Sequence, residues 1–364
     1  MRSHFLMLSI GACLAACAPS RPATAPAPYL NESPTPFQLV SGEAGPDDIG
    51  LFLAGMPVRR GAVLSGFQQT VDYQVHCREM SALWGSAASR LERMQSWSES
   101  ELATLTGADG TVLYPFGGPD LLHVSTLFPQ ARSFVLMGLE PVGDVPALAT
   151  LPPDELPTVL ATFRQVTHAQ LTTGYFITKD MRSDLQRSSL RGVIPILLST
   201  VALTGGRVES VNRLSAGGKP GVEMRYCDAA GVAHHVCYVE GDLSNSGFGG
   251  GYRQWLAGLG GDVTYFKAAS YLMHDNHFSQ AREFFLSQSR LILQDDSGIP
   301  FRHFPHGWSL RLFGTYDRPI ELFSKYQQAD LRQAYASRHN SQIDFGTGYH
   351  VSASEGNLLL SIKR

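Results

Sequence analysis

The stretch from Thr111 to Gly143 constrains what this chain can fold into more than any other. A short apolar run, Val112 to Tyr114, meets Gly117-Gly118, Pro119 opens a helical pattern, and a second apolar run from Phe134 to Met137 leads to Glu140. Strand, glycine turn, helix, strand is the order of a βαβ unit in a parallel sheet, where ligands sit beyond the carboxyl ends of the strands. Gly118 is placed to cap the helix, and Pro119 suits its first turn, where a missing N–H costs nothing.

The same alternation returns late in the chain. Val263 to Phe266 and Leu291 to Leu293 read as strands around a helix from Phe278 to Leu286. A strand through Trp308 and Phe313, a helix from Tyr326 to Tyr335 and a closing strand from Leu358 to Ile362 follow. Between the two blocks, Arg207 to Leu214, Val222 to Cys227 and His235 to Val239 are separated by turn sequences, which predicts antiparallel hairpins. Upstream, apolar residues from Val71 to Met94 recur at helical spacing and predict an amphipathic helix over 71–96. Ser98 with Glu101 three residues on is a capping-box pattern that predicts a new short helix. Asp154 is expected to cap a helix carrying Leu156, Val159, Leu160 and Phe163. Leu190 to Leu203 reads as a buried helix stopped by Gly205-Gly206. Residues 37–70 show no clear period and are expected to cover a face of the core. Gly174 to Arg182 reads as a loop entering a helix, with Lys179, Asp180, Arg182 and Asp184 as a solvated cluster. The fold expected is a single α/β domain over residues 37–364. It is Rossmann-like, with a mixed, mostly parallel sheet, helices on both faces and an antiparallel hairpin section.

The first 16 residues read as an export signal: Arg2 and His4 precede an apolar segment too short to span a bilayer. Leu14-Ala15-Ala16-Cys17 resembles the lipobox of bacterial lipoproteins, which implies cleavage before Cys17 and its acylation. Ala18, rather than Asp, then implies the outer membrane, facing the periplasm or the cell surface. Residues 17–36, rich in Pro and Ala, form a tether without apolar periodicity. The expected partner is therefore the membrane, through a lipid anchor. A net charge of −3 without a basic cluster argues against nucleic acid. Cys77, Cys227 and Cys237 remain in the body, and a disulfide between Cys227 and Cys237 across the Asp228 turn stays open.

Apolar strands end in polar residues at Asp120, Glu140, Asp242 with Asn245, Lys267, and Asp295 with Asp296. Parallel strands would gather these along one rim, where a carboxylate could serve as general base and Lys267 could stabilise negative charge. Asp120, in the first turn of its helix, would repel a phosphate there. The run through Glu140 resembles Rossmann-like methyltransferases and dinucleotide-binding proteins, whose acidic residue binds a ribose. One glycine pair stands where three glycines are usual, so the resemblance implies the fold more than the activity, and no cofactor follows from it. His274, His277, His303 and His306 near Asp295-Asp296 have no metal-ligand spacing, and neither G-x-S-x-G nor H-E-x-x-H is present, so no metal or serine nucleophile is expected.

Across most of the body the chain resembles an uncharacterised family of bacterial envelope lipoproteins. The shared segments are YPFxGPD (Tyr114 to Asp120), GLEPVG (Gly138 to Gly143), K-x-A-S-Y-L-M (Lys267 to Met273) and DDSGIP (Asp295 to Pro300). That resemblance carries no activity with it. The expectation is a membrane-anchored lipoprotein binding or hydrolysing a polar small molecule or envelope ligand at the rim of Asp120, Glu140, Lys267, Asp295 and Asp296. A non-enzymatic structural or partner-binding lipoprotein is the alternative, and a methyltransferase-like enzyme a third.

Overall fold

Ten strands form one mixed sheet in the computed structural model, which describes residues 34–37, 41–107, 110–176, 190–338 and 340–364. In chain order the elements are β1 (Thr35–Pro36), α1 (Pro46–Leu53), α2 (Val71–Glu101), β2 (Thr111–Tyr114), α3 (Leu121–Leu127), β3 (Ser133–Gly138), α4 (Leu156–Thr172) and α5 (Ile194–Leu203). Then come β4 (Arg207–Ala216), β5 (Lys219–Cys227), β6 (Ala233–Glu240), α6 (Gly250–Gly258), β7 (Val263–Phe266), α7 (Ser279–Gln288), β8 (Leu291–Gln294), β9 (Trp308–Gly314), α8 (Ala329–Ser337) and β10 (Asn357–Lys363). The signal, the tether with Cys17, and Lys179, Asp180, Arg182 and Asp184 lie outside the described residues.

The strand order is β1-β4-β5-β6-β3-β2-β7-β8-β10-β9. The five central strands, β6, β3, β2, β7 and β8, are parallel. Antiparallel strands complete both sides, so the sheet is mixed rather than mostly parallel: its neighbours are joined by four parallel and five antiparallel pairings among the described residues. Of the central strands, β2, β3, β7 and β8 are nearly continuous apolar runs because water reaches neither side of them. Their alternate residues divide between two clusters. Val112, Tyr114, Phe134 and Leu136 join side chains of α1 to α5, whereas Leu113, Val135 and Met137 join Tyr252, Trp255, Phe284 and Phe285 of α6 and α7.

Several local expectations are corrected. The stretch over 37–70 contains α1, which packs against α5. Its start was visible as Pro46 followed by Asp47 and Asp48. No helix starts at Ser98. α2 runs unbroken to Glu101, and the Ser98 hydroxyl donates to the Leu127 carbonyl, so a tertiary contact takes the group that would have capped. Asp154 does not cap α4, which begins at Leu156 after Glu155 without a side-chain cap. Gly118 does not cap α3; Asp120 does, accepting from the His123 amide. No disulfide joins Cys227 to Cys237, and the β5–β6 register explains why: Cys227 faces Ala233, and Cys237 faces Glu223.

Candidate ligand-binding site

The strand order reverses between β2 and β7, so the loops leaving their carboxyl ends diverge and leave a crevice. Both loops are held in unusual backbone conformations. Phe116 after β2 and Ala268, Ser270 and Tyr271 after β7 have φ of 61°, 49°, 51° and 56°. They are the only non-glycine residues with positive φ among the described residues. Such conformations cost of order 1–3 kcal/mol each and persist where the surroundings hold them, most often at functional sites.

The surroundings here are aromatic and hydroxyl groups. Tyr349 donates to the Ala268 carbonyl at 2.9 Å and lies 2.8 Å from the Ser270 hydroxyl. Tyr271 stacks on Tyr326 at 5.3 Å and donates to Asp296.

A cleft of about 330 Å³ opens between these loops. Its floor is Met137, Gly138 and Glu140 from the end of β3, and Asp242 after β6 closes one side. The segment from Ile320 to Phe323 forms its lip. A void of about 20 Å³, the space of a single water, adjoins it between Tyr114, Gly118, Asp120 and Lys267, and Glu140 borders both spaces.

The rim residues proposed from sequence divide into three kinds. Asp120 and Lys267, leaving adjacent strands, are fully buried and bonded to each other. Asp120 Oδ2 also accepts from Tyr114 at 2.9 Å, and Oδ1 accepts from His123 Nδ1 at 2.7 Å and Gln170 Nε2 at 3.1 Å. Burial alone would raise the Asp120 pKa. His123 and Lys267 outweigh it and hold the carboxyl well below the usual range. Burial lowers His123 to about 4, so Lys267 is the counter-charge at neutral pH. Lys267 is itself lowered by burial, against the pull of Asp120, and its second bond goes to the Gly174 carbonyl. With its oxygens taken, Asp120 has no lone pair directed at a substrate.

Asp295 and Asp296 border neither space. Asp295 accepts from Ala268 N at 2.8 Å and Ser297 N at 2.9 Å, which pins the β7 loop to the β8 loop. Burial and the neighbouring Asp296 raise its pKa. Asp296 accepts from Tyr271 and from Asn357 Nδ2 at 3.2 Å, with His350 Nε2 3.5 Å away. Both carboxylates therefore build the loop rather than face the crevice.

Glu140 differs. Its side chain is buried; the Tyr238 hydroxyl donates to the Glu140 main-chain carbonyl at 2.7 Å and also lies 3.2 Å from Oε2, but Oε1 has no hydrogen-bond partner among the described residues. A glycine at 138 makes this placement fit, since a Cβ there would lie 2.3 Å from Glu140 Oε2. Gln170, Tyr175, Phe176, Phe323 and Tyr349 escaped the sequence reading because they come from distant elements with no local motif. Asp120 with His123, three residues on, forms a cap bond at the start of α3. Among the described residues no group of three His, Cys, Asp or Glu is arranged to hold a metal, and no helix is long and apolar enough to cross a membrane.

Comparison of the chain with protein-family models, with curated proteins and with solved structures returned no match.

Proposed function

We propose that this chain is an outer-membrane lipoprotein, anchored through Cys17, whose body is a Rossmann-like α/β domain that binds a small ligand in the cleft above β2, β3 and β7. Numbered along the chain, the parallel strands β2, β3, β6, β7 and β8 lie in the order 3-2-1-4-5, that of the doubly wound nucleotide-binding folds, and the cleft lies at the reversal. Two apolar clusters drawn from alternate residues of the central strands support helices on both faces.

The observation that carries the reading is the buried Glu140 carboxylate on the floor of an aromatic cleft, with one oxygen unpartnered among the described residues. Hydrolysis at Asp120 and Lys267 has little support, because the oxygens of Asp120 are taken by four neighbours and Lys267 is paired with Asp120 and bonded to the Gly174 carbonyl. Binding without chemistry is the better reading of the site.

The test is a thermal-shift panel of metals, nucleotides, S-adenosylmethionine, sugars and amphipathic amines on the purified protein. A cleft ligand at 100 times its Kd stabilises by about 2.7 kcal/mol, several degrees in melting temperature. For a ligand held by the carboxylate the shift should shrink in Glu140→Gln. A panel with no shift sinks the reading, whereas a shift with S-adenosylmethionine alone revives the methyltransferase. Cys17→Ser should release the protein from membranes and abolish labelling by palmitate.

A partner-binding lipoprotein is the second reading. Leu139 and Leu322, 48% and 78% exposed, stand at the mouth of the cleft, where a partner could cover them.

A further inference from the structure

The lining of the cleft is unbalanced in charge. Around it, Glu140 and Asp242 are acidic and no described lining residue is Lys, Arg or His, although the chain holds 29 Lys and Arg against 32 Asp and Glu. Lys267, in the neighbouring void, is committed to Asp120 and to the Gly174 carbonyl. The two carboxylates keep different degrees of freedom. Asp242 is fixed by Ser244, whose amide and hydroxyl donate to its two oxygens at 2.8 and 2.7 Å. Glu140 Oε1 has no donor among the described residues.

The walls favour the same sign of charge. Phe116, Tyr175, Phe176, Phe278, Phe323 and Tyr349 all border the cleft. The face of an aromatic ring is the negative side of its quadrupole and attracts a cation within about 6 Å. An anionic head group would meet carboxylates and aromatic rings, with no free cation among the described lining residues to receive it. A neutral hydroxyl would still donate to the Glu140 carboxylate but would forgo the Coulomb attraction between an ammonium and that carboxylate, which is strong where little water screens it.

We propose that the cleft is selective for an organic cation, a primary or secondary amine carried on an apolar, ring-sized body, with the ammonium on Glu140 and the body between the aromatic walls. The volume of about 330 Å³ suits such a ligand, at the small end of the range for small-molecule pockets. This rests on the reading of the cleft as the ligand site and adds its selectivity.

The test uses three probes with one body and three head groups: 2-phenylethylamine, 2-phenylethanol and phenylacetate, titrated into the full-length protein by calorimetry. The amine should bind about tenfold or more tightly than the alcohol, and phenylacetate should bind weakest. Glu140→Gln should bring amine and alcohol together. Because Glu140 is buried, a second variant guards against a folding defect: Leu322→Arg, at an exposed position on the lip, should weaken the amine and spare the alcohol. If the alcohol or phenylacetate matches the amine and Glu140→Gln changes neither, the selectivity is overturned while the cleft stands as a binding site. If none of the three binds, the cleft reading falls with it.

Discussion

The loops after β2 and β3 each place a buried carboxylate at the same rim, and the two have opposite fates. Asp120 accepts from Lys267, Tyr114, His123 and Gln170, and its charge is consumed in tying β2, α3, α4 and the β7 loop together. Among the described residues the Glu140 carboxylate has Tyr238 as its single donor and Oε1 has none, and the residue lines the cleft. Depth of burial does not separate them, at 1% and 2% exposed. The number of donors does. A carboxylate whose lone pairs are all matched is a structural joint, whereas one left half-matched at a cavity can accept from a ligand.

The largest test of this contrast is Asp120→Ala. It would strand the Lys267 ammonium in a dry interior and orphan three further donors, which should cost about 3–5 kcal/mol. Urea denaturation should show the midpoint falling accordingly. Asp120→Ala combined with Lys267→Met should cost less than the sum of the single changes, because no charge is left unpaired. Additivity would mean that the buried pair is not coupled as its geometry indicates.

Acid is the next lever. His123 lies against Asp120, and burial holds its pKa near 4 instead of 6.5. Because the folded value is depressed, the folded protein binds fewer protons than the unfolded chain between these two values. Stability from this group is whole above pH 6.5 and is lost as the pH falls toward 4, at up to about 1.4 kcal/mol per unit. His76, 2.9 Å from the Leu53 carbonyl and also lowered to about 4 by burial, adds a like amount from a separate place. Asp120, depressed as a carboxylate, gives way only at lower pH still. Denaturation at pH 7, 6, 5 and 4 should show this fall, and His123→Asn should flatten it without abolishing it. An unchanged slope in His123→Asn would remove His123 from the account.

Gly138→Ala tests the Glu140 side. The added methyl would meet Glu140 Oε2 at 2.3 Å and both the Gly118 Cα and the Tyr238 hydroxyl at 2.9 Å, so something must shift. Overpacking of this kind costs about 1–3 kcal/mol and should displace the carboxylate, lowering ligand affinity as well. Gly85→Ala on α2, where a Cβ meets nothing within 4 Å, should instead stabilise by about 0.5–1 kcal/mol. If both substitutions destabilise equally, crowding at Glu140 is not the cause.

Much of the rim is legible in the sequence. The βαβ grammar of Thr111 to Gly143 is realised as β2, α3 and β3, and the ends of β2, β3, β7 and β8 bring Asp120, Glu140, Lys267 and Asp295 to one edge, because parallel strands must all end there. What stayed hidden depends on partners far away in the chain. Ser98 carries a capping pattern, yet its hydroxyl serves Leu127. Asp120 resembled a base at a strand end, yet Gln170, fifty residues on, completes its shell. Tyr349 fixes the Ala268 backbone from eighty-one residues away. Local sequence shows which groups reach an edge. Whether they are free there is decided by tertiary donors that no local pattern announces.

The smallest expected effect on stability is the most informative about function. Glu140→Gln keeps the shape, leaves a carboxamide oxygen beside Tyr238, and does not touch the shorter bond from the Tyr238 hydroxyl to the Glu140 main-chain carbonyl at 2.7 Å. The unpartnered Oε1 side loses only a charge that the fold does not neutralise, and stability should change by less than about 1 kcal/mol. Asp120→Asn makes the same chemical change in a shell of donors, where an amide nitrogen must face one of them, and it should cost several times more. Paired denaturation curves of the two variants measure the difference directly. Equal losses would mean that Glu140 is a structural joint like Asp120, and the cleft would then lack its polar anchor. A near-neutral Glu140→Gln that has lost its ligand would mark this carboxylate as one kept for binding.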